Sequence, residues 1–210
     1  MARLARQTVS PVTLTIRKAS RDDARPLGAA LARAFTDDPV MRWLLPAHRA
    51  RTDRLPRLFA MELVYLYLPH DEVYTTRDLE GGALWAPPGG WRTPPASLLR
   101  AVPRLVWTLR GHTPAAVQCV SAIERVHPPE AHWYLAVVGT EPARQREGIG
   151  SALLAPVLER CDRDFVPAYL ESSREGNLGF YQRLGFEVTA TVDLPGGGPR
   201  VWTMWREPRP

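Results

Sequence analysis

A mixed α/β domain is the fold class the sequence predicts, and three observations carry that prediction. Segments alternating at period two and segments with apolar residues at helical spacing follow one another along the chain. No internal repeat, low-complexity stretch or clear linker interrupts them. Near the middle, the apolar run "WYLAVVG" passes through "RQREGIGS" straight into "ALLAPVLERC", so a strand, a glycine-bearing turn and a helix stand in succession. With 210 residues, 45% hydrophobic and 23% charged, the chain suits one well-filled core. The expected organisation is a tail over 1–11, a single domain over 12–206 and a short tail over 207–210.

The elements follow in order. "VTLTIRKA" (12–19) alternates β-branched and polar residues and predicts a strand. "SRDDARPLGAALARAF" (20–35) predicts a helix capped by Ser20, with acids in its first turn. "DDPVMRWLLP" is a turn and short helix, and residues 51–69 a longer helix. "EVYTTRD" and "GGALWAPP" predict a hairpin turning through Asp78 to Gly82. Two helix-like segments fill 94–127, broken at Gly111 and Pro114. Then come the strand "HWYLAVVG", the glycine turn, a helix to about Arg163, the strand "VPAYLES", the short helix "GNLGFYQRLGF" stopped at Gly185, and a final hairpin from "EVTATVDLP" and "RVWTMWREP".

Composition excludes several classes. The net charge of +5 is modest, Lys18 is the sole lysine, and the arginines are scattered, so no concentrated basic face for nucleic acid is expected. Cys119 and Cys161 make neither a disulfide framework nor a metal site, and no metal is expected. "MARLARQTVSP" lacks the apolar core of a secretory signal. The longest apolar stretch, "LFAMELVYLYL", is interrupted by Glu62 and is too short to span a membrane. A cytoplasmic protein without membrane or nucleic-acid partners is the expectation. A homodimer through the final hairpin and the tail "WREPRP" is left open.

The glycine turn admits three phosphate-binding readings. A dinucleotide fingerprint needs a third glycine where Leu153 stands, and a P-loop needs a lysine that the segment lacks. What remains is Gln145-x-x-Gly148-x-Gly150 between strand and helix. Its amides, from about Arg146 to Gly150, can turn toward a pyrophosphate at the helix N-terminus, and the glycines let it approach. A tight turn binding nothing is the alternative. Downstream, "YLESSREGNLGFYQRLGFEV" (169–188) places Asn177 before a helix that carries Tyr181 one turn later.

Together these two motifs resemble the GCN5-related N-acetyltransferase (GNAT) family, and the resemblance covers residues 12–206. "WYLAVVGTEPARQREGIGSALLAPVLERCD" and "LPGGGPRVWTMWREP" are similar, within it, to the puromycin N-acetyltransferase branch and its actinobacterial relatives. The resemblance implies a mixed sheet of about six to seven strands flanked by helices, splayed between the two strands beside the acyl-CoA site. It implies acetyl-CoA as cofactor and transfer of acetyl to a primary amine by direct attack in a ternary complex. A small-molecule amine is the expected partner. Acetylation of protein lysines or N-termini, and acyl-CoA binding without catalysis, are the alternatives.

The cofactor-binding residues so implied are the backbones of Ala136, Val137 and Val138, the loop Arg144, Gln145, Arg146, Glu147, Gly148, Ile149, Gly150 and Ser151, and then Asn177, Phe180 and Tyr181. Arg146-Glu147 departs from the family's Gly-Lys or Gly-Arg, so Glu147 is expected to turn outward with Arg144 or Arg146 compensating. Tyr181 is the candidate general acid. Glu171, an acid inside an apolar strand, is the preferred base, and Glu124 is the other candidate. His132 reads as a surface residue at a strand edge. Asp37, Asp38, Trp85, Trp133 and Glu171 are the candidate acceptor-binding residues, with the alternative that the aspartates cap a helix and the tryptophans pack the core.

Overall fold

The structure, a computed structural model, describes residues 14–92 and 94–209. The expected tail over 1–11 and the first residues of the first strand lie outside that range. Its strands are β1 (Ile16–Lys18), β2 (Val73–Thr76), β3 (Gly81–Ala86), β4 (Trp133–Thr140), β5 (Ala168–Ser172), β6 (Glu187–Asp193) and β7 (Arg200–Arg206). Its helices are α1 (Ala24–Phe35), α2 (Pro39–Leu44), α3 (His48–Glu62), α4 (Pro95–Leu109), α5 (Thr113–Val126), α6 (Ile149–Asp164) and α7 (Leu178–Arg183). Among the described residues no helix is long and apolar enough to cross a membrane.

All seven strands form one mixed sheet in the order β1-β2-β3-β4-β5-β7-β6. Every neighbouring pair is antiparallel except β4 with β5, which runs parallel because α6 crosses over between them. Period-two alternation divides the side chains between two cores. On β3, Ala83 and Trp85 join Leu135, Leu153, Leu170 and Met204 beneath α6. Leu84 turns the other way and joins Leu27, Leu31, Leu55 and Phe59 of α1 and α3.

The parallel pair is short. Trp133, Tyr134 and Leu135 register with Ala168, Tyr169 and Leu170, and there the pairing ends. β4 continues to Thr140 against β3 alone, while Glu171 and Ser172 continue against β7. From Ala136 onward the two strands therefore diverge.

Two expectations are corrected. Ser20 does not cap α1. Asp23 precedes the helix, and its carboxylate instead accepts from the Ser20 amide (2.7 Å), the Ser20 hydroxyl (2.9 Å) and Arg17 (2.7 and 2.8 Å). The Arg17 guanidinium is the main reason that this carboxyl lies far below its usual range. The helix expected over 51–69 begins earlier and changes character at Glu62. Residues Leu63–Tyr67 form a π-turn in which the Leu68 amide donates to the Leu63 carbonyl, and a 3₁₀ turn, Leu68–His70, follows. Bonding at a spacing of five stacks residues five apart, so Glu62 and Tyr67 come to the same face, which a regular α-helix would not allow.

α1 approaches α3 where Gly28 stands. A Cβ there would meet the Ala60 amide nitrogen at 2.8 Å and the Pro56 carbonyl oxygen at 3.0 Å, both backbone atoms with no rotamer to yield. Gly28→Ala should therefore destabilise the fold by about 2 kcal/mol. Thermal unfolding should show a fall of roughly 4–8 °C for a chain of this size.

Candidate active site

The site is built where β4 and β5 part. β4 leads through a 3₁₀ turn, Pro142–Arg144, into the glycine loop. Arg146 (φ 68°) and Gly148 (φ 83°) are both left-handed. A left-handed arginine is unfavourable by about 1 kcal/mol, so the surrounding loop must hold it there. Backbone of mixed hand turns N–H groups toward a shared concavity that suits an anion. Gly148 precedes the 16-residue α6 without a side-chain cap, so the first-turn amides of the helix stay free for a ligand. A Cβ at Gly148 would meet nothing within 4 Å; the positive φ, not crowding, favours glycine there, and the space before the amides is open. Ile149 is buried, so only its backbone faces the loop, while Ser151 is exposed.

Glu147 is drawn aside by Arg144, whose Nε donates to it at 2.8 Å. The same guanidinium also bonds Glu80. Arg144 is thus shared by two acids and brings no unpaired charge to the loop, whereas exposed Arg146 does. The Gln145 side chain donates to the Thr140 carbonyl at 3.3 Å.

Across the loop, the 3₁₀ turn Glu175–Asn177 leads into α7. The Phe180 ring stands close to Gly150, where a Cβ would meet it at 3.3 Å. Tyr181 is 7% exposed and packs edge-on to Phe180 and Phe186. Burial first, then the Asp38 charge, push its phenol above its ordinary range. A cleft of about 610 Å³ at the end of β5 is lined by Pro39, Ser173, Arg174, Asn177, Pro199 and Trp202, among others. Asp38 itself is 4% exposed. It accepts from the Val40 (2.9 Å) and Met41 (3.1 Å) amides and from the Ser173 hydroxyl, tying α2 to the end of β5. Asp37 is exposed.

On the sheet face opposite α6, β5 presents Tyr169 and Glu171, whose Oη and Oε1 are buried without a hydrogen bond of ordinary geometry, although the Glu171 carboxylate lies near enough to bear on both Tyr169 and Tyr134. Burial raises Tyr134 well above its ordinary range, and the Glu171 carboxylate adds to the shift. From the π-turn, Tyr67 is raised by burial and by both Glu62 and Glu171, which places it under the influence of two carboxylates. Burial alone lifts the Glu62 carboxyl to about 7. His127, buried behind α5, stacks on Trp91 with ring centroids 3.8 Å apart and places Nδ1 3.6 Å from Glu171 Oε1. Among the described residues no group of three or more His, Cys, Asp or Glu is arranged to hold a metal ion.

Residues 106–188, which span the parted strands, the loop and α7, match the family model described as acetyltransferase (GNAT) domain. The fold is the GNAT fold. An uncharacterized N-acetyltransferase of Schizosaccharomyces pombe is 27% identical, over 93% of this chain and 84% of that protein. A Corynebacterium glutamicum structure described as histone acetyltransferase HPA2 and related acetyltransferase superposes with TM-score 0.70 at 27% identity, covering 94% of this chain and 97% of its own. A Thermoplasma acidophilum PaiA N-acetyltransferase solved with coenzyme A superposes with TM-score 0.56 at 12% identity, covering 93% and 99%.

Several expected residues lie elsewhere in this fold. Trp85 (0% exposed) and Trp133 (7%) are packed in the core beneath α6, Trp133 under the Arg160 guanidinium, and do not face Glu171. Glu124 lies on the exposed side of α5, away from the parted strands. His132 is no surface residue: it is 1% exposed, with Nε2 3.0 Å from His127 Nε2. The aromatic wall consists of Trp91, Tyr67, Tyr134 and Tyr169. Glu62 was visible in the sequence as the one acid inside "LFAMELVYLYL", but only the π-turn brings it to this face.

Glu62 also leaves a stability signature. Its folded-state value of about 7 lies above the ordinary 4.5, so the folded chain holds this proton more tightly. Stability from this group is full below about pH 4.5 and declines as pH rises toward 7. Glu62→Gln should therefore raise the melting temperature at pH 8 while leaving it nearly unchanged at pH 4.5, as calorimetry at the two pH values would show.

Proposed function

We propose that the chain is an N-acetyltransferase that moves acetyl from acetyl-CoA to the primary amine of a small molecule. The observation that carries this reading is the opening between β4 and β5. It is bordered by a loop of left-handed residues at a helix start, with Tyr181 packed on the α6 side of the sheet and Glu171 Oε1 buried on the opposite face. The fold fits acetyl-CoA. The amides of Arg146 to Gly150 would hold its diphosphate, the unpaired β4 backbone at Ala136, Val137 and Val138 its pantetheine arm, and Asn177 and Phe180 would flank it. When bound, acetyl-CoA supplies an activated acetyl thioester.

The chain's own groups do the rest. An amine must be neutral to attack, and Glu171 Oε1 is a buried carboxylate oxygen with an open lone pair to take its proton. The unpaired β4 amides are donors for the developing negative charge on the acetyl oxygen. Tyr181 keeps its proton through the neutral range, because burial and Asp38 both oppose ionisation, and it serves as donor to the departing sulfur. Packing by α7 and Phe186 orients that hydroxyl.

A small acceptor is favoured because Glu171 and Glu62 lie inside the fold beside aromatic rings, with α5 packed near them, rather than along an open peptide groove. The motif likeness to the puromycin N-acetyltransferase branch points the same way. A protein acceptor finds support in the histone acetyltransferase description of the Corynebacterium structure.

A CoA-release assay with aryl amines, diamines, aminoglycosides and lysine peptides tests the assignment. Release with small amines supports it; release with peptides alone transfers it to a protein acceptor, and release with none sinks it. Tyr181→Phe should lower kcat by roughly 10²-fold with little change in the KM for acetyl-CoA, and equal turnover would remove Tyr181 from its role. Glu147→Gln takes a negative charge from beside the loop and releases Arg144 from one of its two acids. It should lower that KM about 2- to 5-fold, an effect that fades at high salt.

A further inference from the structure

His132 Nδ1 lies 2.6 Å from the Glu130 carbonyl oxygen, which can only accept, so His132 is protonated at Nδ1. Burial is the main influence on His132 and disfavours its charged form, which leaves Nε2 as a bare acceptor. His127 Nε2, 3.0 Å away, must then be the donor in that contact. A neutral His127 protonated at Nε2 would turn the lone pair of Nδ1 toward the carboxylate of Glu171 at 3.6 Å, an uncompensated repulsion in a buried place. One further proton on Nδ1 removes the conflict: both ring nitrogens then donate, one to His132 and one toward Glu171. Burial of the His127 side chain opposes a charge, so the Glu171 carboxylate has to compensate it, and the ring beneath His127 adds to that compensation. His127 lies flat on Trp91 at 3.8 Å, with Tyr134 and Tyr169 edge-on at 4.9 and 4.8 Å.

We propose that His127 and Glu171 form a buried imidazolium–carboxylate pair in which His127 is the positioning residue that keeps Glu171 ionised to receive the proton of the acceptor amine. The functional half of this proposal rests on the acetyltransferase reading; the charge state does not. The step balances: the ammonium N–H bond breaks, its electron pair stays on nitrogen, and the proton forms an O–H bond on Glu171, while His127 keeps both of its protons. At 3.6 Å the imidazolium neutralises the carboxylate without the close hydrogen bond that would occupy Oε1. Charged and titratable neighbours face the pair from several elements, and Glu130 lies beside His132. His132 stands just before β4, β4 contributes Tyr134, β5 Tyr169, and α5 Cys119, whose thiol is raised by burial and then by Glu171. The π-turn contributes Tyr67, with Glu62 beside it. Arg92 stands over Trp91, 4.8 Å from the ring centroid, and is the one neighbouring cation in this set.

Nitrogen-15 NMR of the histidine rings in the full chain, without any substrate, reads the charge state directly. The chain has five histidines, and substitution of His48, His70 and His112, all outside the cluster, assigns the remaining signals while leaving it intact. The expected result at pH 8, where an exposed imidazole is neutral, is protons on both nitrogens of His127 and on Nδ1 alone of His132. In Glu171→Gln the Nδ1 proton of His127 should be lost, with the two proteins compared at equal thermal stability. A bare Nδ1 in the wild type, or an unchanged His127 in Glu171→Gln, overturns the proposal. With an accepted amine in hand, His127→Asn should lower kcat about 10-fold or more. It should also move the acidic limb of the kcat profile to higher pH and leave the KM for acetyl-CoA within about 2-fold. An unmoved pH profile overturns the functional half. An absence of CoA release with every amine would strike the acetyltransferase reading alone, since the NMR result stands without it.

Discussion

The rest of this structure depends on the place where two parallel strands stop pairing. β4 and β5 share three registered residues and then separate, each held by its other neighbour. Unpaired backbone in the middle of a sheet is unfavourable unless something pairs with it. Here the strands are held apart by features that are themselves anchored: Asp38 binds the end of β5 to α2, and α6 is packed from Ile149 to Cys161 along one side of the sheet. The opening is therefore a fixed part of the architecture, with the glycine loop following β4 and Glu171 on β5 at its edges.

Sheet and loop impose different demands on the residues around that opening. The glycine loop works through backbone, which is why Ile149 can be a core residue and still belong to it. The opposite face works through side chains that resist burial. Glu62, Tyr67, Tyr134, Tyr169 and Glu171 all carry polar atoms on an aromatic-walled face, where lost hydration works against every charge. Such an arrangement lowers stability, and its concentration beside the parted strands is what makes this face the candidate site.

Much of the fold was legible because its signals are local. The hairpin of "EVYTTRD" and "GGALWAPP", the strand–loop–helix around Gly148 and the short helix ended by Gly185 are each set by neighbouring residues. The parting of the strands at Ala136 was accessible only through family resemblance, since buried valines look alike in any strand. The acceptor side was read less well for a physical reason. Trp85 and Trp133 were assigned to a pocket by residue type, but their register on β3 and β4 turns them under α6. His132 looked like a strand-edge residue because its partner, His127, is brought to it by the loop between α5 and β4. Glu62 was visible as an anomaly, yet nothing in "LFAMELVYLYL" announces a turn of five.

That wide turn also governs how the site tolerates change in chain length. A π-turn is an α-helix holding one surplus residue, and the turn here absorbs that residue while keeping positions 62 and 67 on one face. Removing one residue from 63 to 66 would let the segment relax into ordinary helix with the two side chains four apart, still on one face. The alignment of the two side chains therefore survives the loss of one residue here, and a change of length would be felt instead in the register of the chain beyond the turn.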